Sequence, residues 1–200
     1  MLRRLLRKRE NRVVEGTKLI VGLGNPGAEH SRNRHNVGFS VLERLAHRYR
    51  LPFDRLEFQG RLAHGTVGGR PVILLKPVSY MNRSGSVVKP VLSRYKVRLE
   101  DLLIIHDDLD LPLGRIRIRA AGGSAGHRGM ESVIASLGTD IIARIRIGIG
   151  RPHGDHPEEY VLQDFSLEES ITMEATYEQA LAAVVTFLRE GIDSTMNNYS

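Results

Sequence analysis

Residues 18–36 read Lys-Leu-Ile-Val-Gly-Leu-Gly-Asn-Pro-Gly-Ala-Glu-His-Ser-Arg-Asn-Arg-His-Asn, and the rest of the chain is organised around this stretch. Its apolar start, 19–21, predicts a β-strand that leads into a turn, where glycines allow close backbone approach and Pro26 restricts the chain. Asn25, His35 and Asn36 stand in or just after this turn, on a segment without apolar periodicity. Polar side chains on such a loop are suited to binding and proton transfer.

The glycines at 22, 24 and 27 match the spacing of the dinucleotide-binding fingerprint, which requires a helix to open directly at the glycines. Here residues 28–36 contain only one apolar residue, Ala28, and apolar residues at helical spacing begin at Val37. The acidic residue expected about twenty positions further on would be Glu43, which falls inside that helix. The sequence therefore disfavours a nucleotide-binding loop.

Strand and helix patterns alternate along the chain. Residues 62–67 and 71–75 flank a Gly-Gly pair and predict a β-hairpin, and the apolar run 102–105 predicts a strand buried in the middle of a sheet. Helical spacing of apolar residues occurs after 37, 85, 128 and 167. We therefore expect an α/β fold, a single domain with a mixed, twisted β-sheet flanked by helices on both faces.

Composition sets the wider limits. The chain has 200 residues, of which 41% are hydrophobic and 26% charged, enough for one substantial core. It has no cysteine, which excludes disulfides and thiolate metal ligands and fits a reducing cytosol, and it has no apolar run of membrane-spanning length. We predict a basic, disordered N-terminal extension at 1–16 and a folded domain at 17–200.

Charge is distributed unevenly along the chain. Residues 1–12 carry six Lys/Arg and one acid, a net +5; residues 13–151 carry 22 against 12, a net +10; residues 152–200 carry one against ten, a net −9. This pattern favours a polyanionic partner on a basic face, with the acidic segment on another face. The alternative is that these residues form ordinary solvated surfaces.

The segment His-Asp-Asp-Leu-Asp at 106–110 follows the predicted central strand. Its residues could bind a metal, supply a metal-free acid, or shape the turn that follows, and the residues alone leave these three alternatives open. The metal-free alternative gains from His35, because a carboxylate such as Asp107 can hold one imidazole nitrogen while the other takes a proton from water. A lone histidine is otherwise more often a surface or capping residue.

Several motifs in the right order together resemble those of bacterial-type peptidyl-tRNA hydrolases. They are Val-Gly-Leu-Gly-Asn-Pro-Gly at 21–27, Arg-His-Asn-Val-Gly at 34–38, Lys-Pro at 76–77 with Met-Asn at 81–82 and Ser-Gly at 84–85, His-Asp-Asp-Leu-Asp-Leu-Pro at 106–112, Gly-His-Arg-Gly at 126–129, and Arg-Ile-Arg-Ile-Gly-Ile-Gly at 144–150. The resemblance implies a monomeric, cytosolic enzyme without metal or cofactor. Its reaction would be hydrolysis of the ester between peptide and tRNA in peptidyl-tRNA, so that the tRNA is recycled.

The resemblance also implies roles for individual residues. His35 would be the base that activates water and Asp107 its orienting partner, with Asn25 and Asn82 completing the catalytic set. Substrate binding would fall to Asn25, Asn36, Tyr80, Met81, Asn82 and Arg128, and contacts to tRNA phosphates to Arg117, Arg119 and Arg146. The partner would be the acceptor stem and 3′ end of peptidyl-tRNA.

Two positions depart from the family pattern, because Arg128 stands where Asn is common and Ala125 where Gly is common. Arginine carries a charge and can only donate hydrogen bonds, whereas asparagine can also accept them. The main alternative is a non-catalytic RNA-binding protein of the intron-splicing type on the same fold, because family relatives of that kind look similar, and Arg128 and the basic N-terminal extension leave room for it. A metal-dependent esterase or nuclease is the second.

Overall fold

A computed structural model describes residues 16–151 and 156–199 of the protein. Its strands are β1 (Lys18–Gly22), β2 (Arg55–Glu57), β3 (Gly60–Val67), β4 (Arg70–Pro77), β5 (Leu102–Asp108), β6 (Ile116–Arg119) and β7 (Ala143–Gly148). Over the described residues they form one seven-stranded sheet in the order β2-β3-β4-β1-β5-β7-β6. Strands β4, β1, β5 and β7 are parallel neighbours, and β2, β3 and β6 pair antiparallel. The carboxyl ends of the four parallel strands therefore meet at one edge, where ligands bind in open α/β sheets.

Helices cover both faces of this sheet, as the sequence predicts. They are α1 (Val37–Tyr49), α2 (Ser84–Tyr95), α3 (Arg128–Leu137), α4 (Pro157–Tyr160), α5 (Leu167–Glu190) and α6 (Ile192–Tyr199). Buried residues of α1 and α5 pack with one set of strand side chains, and those of α2 and α3 pack with the opposite set. In the part of the chain that the structure describes, no helix combines the length and the apolar character needed to cross a membrane.

The glycines of the opening stretch are required for close packing. A Cβ atom on Gly22 would lie 2.3 Å from the carbonyl oxygen of Gly38 in α1, and one on Gly24 would lie 2.7 Å from the ring of Phe39. Two short 3₁₀ turns, Ala28–His30 and Arg34–Asn36, separate these glycines from α1. The predicted late start of the helix is thus confirmed, and the glycine loop packs against the side of α1 instead of opening a helix.

The predicted hairpin is confirmed as β3 and β4, but the predicted extent of the central strand needs correction. Strand β5 continues to Asp108, so that residues 106–108 lie in the buried strand and not in the loop after it. Arg144 of β7 is buried although it is charged, and it donates to the carbonyl oxygens of Gly123, Asp140 and Ile142. The predicted extension at 1–16 lies outside the described residues except for Gly16.

Candidate active site

Three side chains converge at the carboxyl end of β5. Asp107 lies on β5 and is buried, with 3% of its surface exposed. The Nδ1 atom of His35, from the turn before α1, lies 2.8 and 2.9 Å from its two carboxylate oxygens. The Nε2 atom of His127, at the start of α3, lies 3.0 Å from Oδ1. The predicted pairing of His35 with Asp107 is therefore present, and a second histidine binds the same carboxylate.

His127 is held in one tautomer by the helix that it caps. Its Nδ1 atom accepts hydrogen bonds from the backbone N–H groups of Gly129 and Met130, at 3.1 and 3.2 Å. A nitrogen that accepts carries no proton, so the ring proton of neutral His127 is on Nε2 and is donated to Asp107. The His35 ring donates from Nδ1 to the same carboxylate, which leaves its Nε2 atom free to accept a proton.

The charges of the site follow from these contacts. Burial alone would raise the pKa of Asp107, but the adjacent His35 and His127 lower it to well below its usual value. Burial alone would lower the pKa of His35, but the charge and the hydrogen bond of Asp107 raise it above 6.5, against a smaller opposing effect of Arg128. Asp107 is thus a carboxylate at neutral pH, and His35 is a base strengthened by its partner.

The neighbours of Asp107 on β5 have structural contacts. His106 is buried, and its Nδ1 atom donates to the backbone carbonyl of Asp107 at 2.7 Å. Burial, followed by the neighbouring His127, lowers the pKa of His106 well below 6.5, so its ring is neutral. Asp108 accepts from the backbone N–H of Asp110 at 2.8 Å and from Arg146. Asp108 therefore shapes the turn after β5, which is the third of the alternatives given above for residues 106–110.

A metal would need a different set of ligands from the one that the sequence suggested. Among the described residues, His35, Asp107 and His127 are the one group of three whose candidate ligand atoms lie within 4.8 Å of one another. The Nε2 atom of His127 carries a proton, and the Nδ1 atom of His35 donates to Asp107. Both atoms are already engaged in hydrogen bonds to Asp107. The arrangement therefore fits a carboxylate that is hydrogen-bonded by two imidazoles better than it fits a metal centre.

Asn25 is fixed within the glycine turn by two neighbours. Its Oδ1 atom accepts from the backbone N–H of Met81 at 3.1 Å. The side chain of Asn36 accepts from the backbone N–H of Asn25 at 2.8 Å and donates to its carbonyl at 2.9 Å. Asn36 is 2% exposed, and both ends of its amide group contact the backbone of Asn25. Asn36 therefore supports the turn that carries Asn25, and the expectation that it binds substrate stays a prediction.

Most of the predicted catalytic and substrate-binding residues surround an open cavity of about 840 Å³. Its lining includes Asn25, His35, Tyr80, Met81, Asn82, Asp107, His127 and Arg128. Tyr80 is 74% exposed, so its ring stands at the edge of the cavity. The cavity has room for a small ligand or for the end of a long one.

The three arginines predicted to contact phosphate have unequal surroundings. Arg117 and Arg119 alternate with the buried Ile116 and Ile118 along β6, at the edge of the sheet, and both are exposed. Arg146 of β7 lies opposite Arg117, but its Nε atom pairs with Asp108 and only 20% of its side chain is exposed. Arg117 and Arg119 are the more accessible cations of this strand pair.

Sequence reasoning gave no role to His127, although it quoted the motif that contains it. The signal available was a histidine directly before a predicted amphipathic helix. Histidine is not a common N-cap residue, since Ser, Thr, Asp and Asn are preferred there. Its bond to Asp107 spans 20 positions in the sequence and depends on how α3 packs, so only the folded chain reveals it.

Residues 19–200 match the family model described as Peptidyl-tRNA hydrolase. The chain belongs to the peptidyl-tRNA hydrolase family. A peptidyl-tRNA hydrolase from Syntrophomonas wolfei is 43% identical over 183 residues, covering 92% of this chain and all of that protein. A peptidyl-tRNA hydrolase from Bacillus cytotoxicus is 44% identical over 184 residues, covering 92% of this chain and 99% of that protein. A crystal structure of the Acinetobacter baumannii peptidyl-tRNA hydrolase superposes with a TM-score of 0.87 at 36% identity. The match covers 93% of this chain and 95% of that protein.

The double role of His127 yields a prediction. In His127→Ala, α3 loses its N-cap and the buried Asp107 loses one of its two histidine partners, so the free energy of unfolding should fall by about 2 kcal/mol or more at neutral pH. The lowered pKa of Asp107 stabilises the fold at pH values above the unfolded pKa, and this stabilisation is lost as the pH falls. With one partner removed, the pKa of Asp107 in the folded state should be lowered less, so the loss should be smaller and should be complete at a higher pH.

Urea unfolding between pH 3 and pH 7 measures both effects. His47→Ala, at an exposed position on α1, is the matched control and should change stability by less than about 0.5 kcal/mol. An unchanged free energy of unfolding in His127→Ala, with an unchanged acid limb, would contradict the assigned role.

Proposed function

We propose that the protein hydrolyses the ester bond between peptide and tRNA in peptidyl-tRNA and releases free tRNA and free peptide. The family match over residues 19–200 supports this reaction. The observation that carries it is the contact of His35 with Asp107 beside the cavity, an arrangement that can activate a water molecule for attack. By the same resemblance, we propose that the enzyme works as a monomer in the cytoplasm and needs no metal.

The proposed mechanism begins with a water molecule bound near the Nε2 atom of His35. This nitrogen takes a proton as the water oxygen attacks the ester carbonyl carbon, and the carboxylate of Asp107 stabilises the resulting imidazolium. The tetrahedral intermediate then collapses, and the bond to the ribose oxygen of the tRNA breaks. That oxygen receives the proton from His35, and the peptide leaves as a carboxylic acid that ionises.

Amide groups are proposed to stabilise the negative charge that develops on the carbonyl oxygen. The Oδ1 atom of Asn25 is already used by the backbone of Met81, so the Nδ2 group of Asn25 is the part available to donate. Asn82 is exposed at the cavity and can supply a second amide. Fixed donors of this kind stabilise an oxyanion without reorganisation during the reaction.

The tRNA is proposed to lie along the basic edge of the sheet. Arg117 and Arg119 extend from β6 and can contact phosphates of the acceptor stem, and Arg146 retains guanidinium nitrogens beyond the one that pairs with Asp108. Arg128 lies at the cavity and would contact the 3′ end or a substrate carbonyl. Contacts to phosphate position a nucleic acid without reading its sequence, as an enzyme that accepts many tRNAs requires.

The alternative of a non-catalytic RNA-binding protein is not favoured. Relatives that match almost their full length are hydrolases by name, and the candidate catalytic residues His35, Asp107, Asn25 and Asn82 all line one cavity. Arg128 is compatible with catalysis because it adds a donor and a charge at that cavity and leaves the pairing of His35 with Asp107 in place.

Hydrolysis of peptidyl-tRNA in the presence of a chelator tests the proposed function. The wild type should cleave at an undiminished rate. In His35→Ala, kcat should fall by about 100-fold to 10,000-fold, because this variant lacks the base. In Asp107→Asn, kcat should also fall strongly, because the imidazolium is no longer stabilised by a carboxylate. Absence of cleavage by the wild type would contradict the proposal, and activity restored only by a divalent ion would favour the metal-dependent alternative.

The pH dependence of kcat/KM tests the influence of Arg128. Activity should rise with pH as His35 loses its proton, because only the neutral ring is a base. The positive charge of Arg128 lowers the pKa of His35, so Arg128→Asn should raise that pKa and shift the rising limb to higher pH. Arg94→Asn, an exposed change on α2 outside the cavity lining, is the control and should leave the limb in place. A limb that stays or moves to lower pH in Arg128→Asn would contradict this influence.

A further inference from the structure

Arg34, the residue before His35, is buried although it is charged, with 5% of its surface exposed. Its guanidinium group lies between two aromatic rings, 4.3 Å from the centre of Tyr160 and 4.7 Å from that of Phe165. Its Nη2 atom donates to Glu169 at 2.7 Å, while Nε and Nη1 have no hydrogen-bond partner among the described residues. Two rings and one carboxylate therefore hold this side chain.

The backbone of the same turn is bound to the same part of the chain. The N–H of Arg34 donates to the carbonyl of Gln163 at 3.0 Å, and the N–H of His35 donates to the carbonyl of Val161 at 2.8 Å. Val161 also lines the cavity. Residues 160–169, which we call the clamp segment, thus contact the turn through both its backbone and its arginine.

The clamp segment is itself anchored at both ends. At its start, the hydroxyl of Tyr160 donates to the carbonyl of Ile149 at 2.7 Å. At its end, Glu169 forms a capping box with Ser166 at the N-terminus of α5. The oxygen of Glu169 that accepts from Arg34 also accepts from the backbone N–H of Ser166, so α5 and Arg34 share one acceptor. Movement of Arg34 is therefore opposed by the segment that directly follows β7 and by the long helix α5.

We propose that Arg34 is a positioning residue, which fixes the turn that carries His35 so that the Nε2 atom of His35 faces bound water. Asp107 fixes one edge of the imidazole, but the depth and tilt of the ring also depend on where the backbone of residue 35 lies. The stacked arginine and the clamp segment set that position. The inference rests on the proposed role of His35 as the base.

A contribution to stability alone would look different, and the chain offers a control for it. Arg44 on α1 also stacks on an aromatic ring, 4.2 Å from the centre of Tyr177, and also pairs with a carboxylate, that of Glu174. It does not line the cavity. Arg34→Met and Arg44→Met therefore each remove an arginine that stacks on an aromatic ring and pairs with a carboxylate. Only Arg34 belongs to the turn that carries His35.

The experiment measures kcat and KM for peptidyl-tRNA hydrolysis at a temperature well below the unfolding midpoint of every variant. Arg34→Met should lower kcat by about 10-fold to 100-fold, the effect of misplacing a catalytic group by about 1 Å, with KM changed less than about twofold. Arg34→Lys keeps the charge without the planar fork and should recover part of that loss. Arg44→Met should retain kcat within about twofold, whatever its effect on stability.

A wild-type kcat in folded Arg34→Met would overturn the proposal, as would an equal loss in Arg44→Met. Should Arg34→Met fail to fold, Phe165→Leu decides the question, because it removes one ring and keeps the ion pair. A lowered kcat at unchanged KM supports the positioning role, and an unchanged kcat contradicts it. Absence of cleavage by the wild type would instead refute the proposed function, and wild-type activity in His35→Ala would refute the role of His35 as the base, so that these failures are distinguishable from that of the positioning role.

Discussion

The structure depends on a buried carboxylate that accepts hydrogen bonds from two histidines. An unpaired carboxylate would be costly at the position of Asp107, and His35 and His127 make its ionised form the stable one. His127 can act as a donor to Asp107 because its other nitrogen is occupied by the start of α3. The orientation of His35 therefore depends on a helix that is distant from it in sequence.

This arrangement explains the details of the surrounding packing. Strands β1 and β5 are parallel neighbours, so the turn after β1 and the end of β5 open at the same edge of the sheet. Glycines at 22, 24 and 38 let α1 approach that edge closely, and the turn with His35 directly precedes α1. Asn36 holds the turn of Asn25, and the clamp segment holds Arg34. Local backbone contacts thus fix the positions of Asn25 and His35, and the parallel pairing of β1 with β5 brings them close to Asp107.

The sequence predicts what depends on local patterns. The hairpin, the late start of α1 and the α/β class follow from apolar periodicity and turn residues, and the pairing of His35 with Asp107 follows from two polar segments at parallel strand ends. The burial of Arg144, the contacts of Asn36 with the backbone of Asn25 and the role of His127 do not follow from such patterns. In each case a polar side chain binds backbone groups whose positions are set by tertiary packing, and no spacing rule records such contacts. Family motifs identify residues that matter, but they do not say which partner each one holds.

Nitrogen-15 NMR of the histidine rings tests the central claim most directly, because it reports which nitrogen carries the proton. The account predicts that neutral His35 is protonated on Nδ1 and bare on Nε2, and that neutral His127 is protonated on Nε2 and bare on Nδ1. In Asp107→Ala, His35 should lose its preference for one tautomer. His127 should keep its tautomer, because the start of α3 still occupies its Nδ1 atom. A wild-type His35 with its proton on Nε2 would contradict the account, because that nitrogen could then not accept a proton from water.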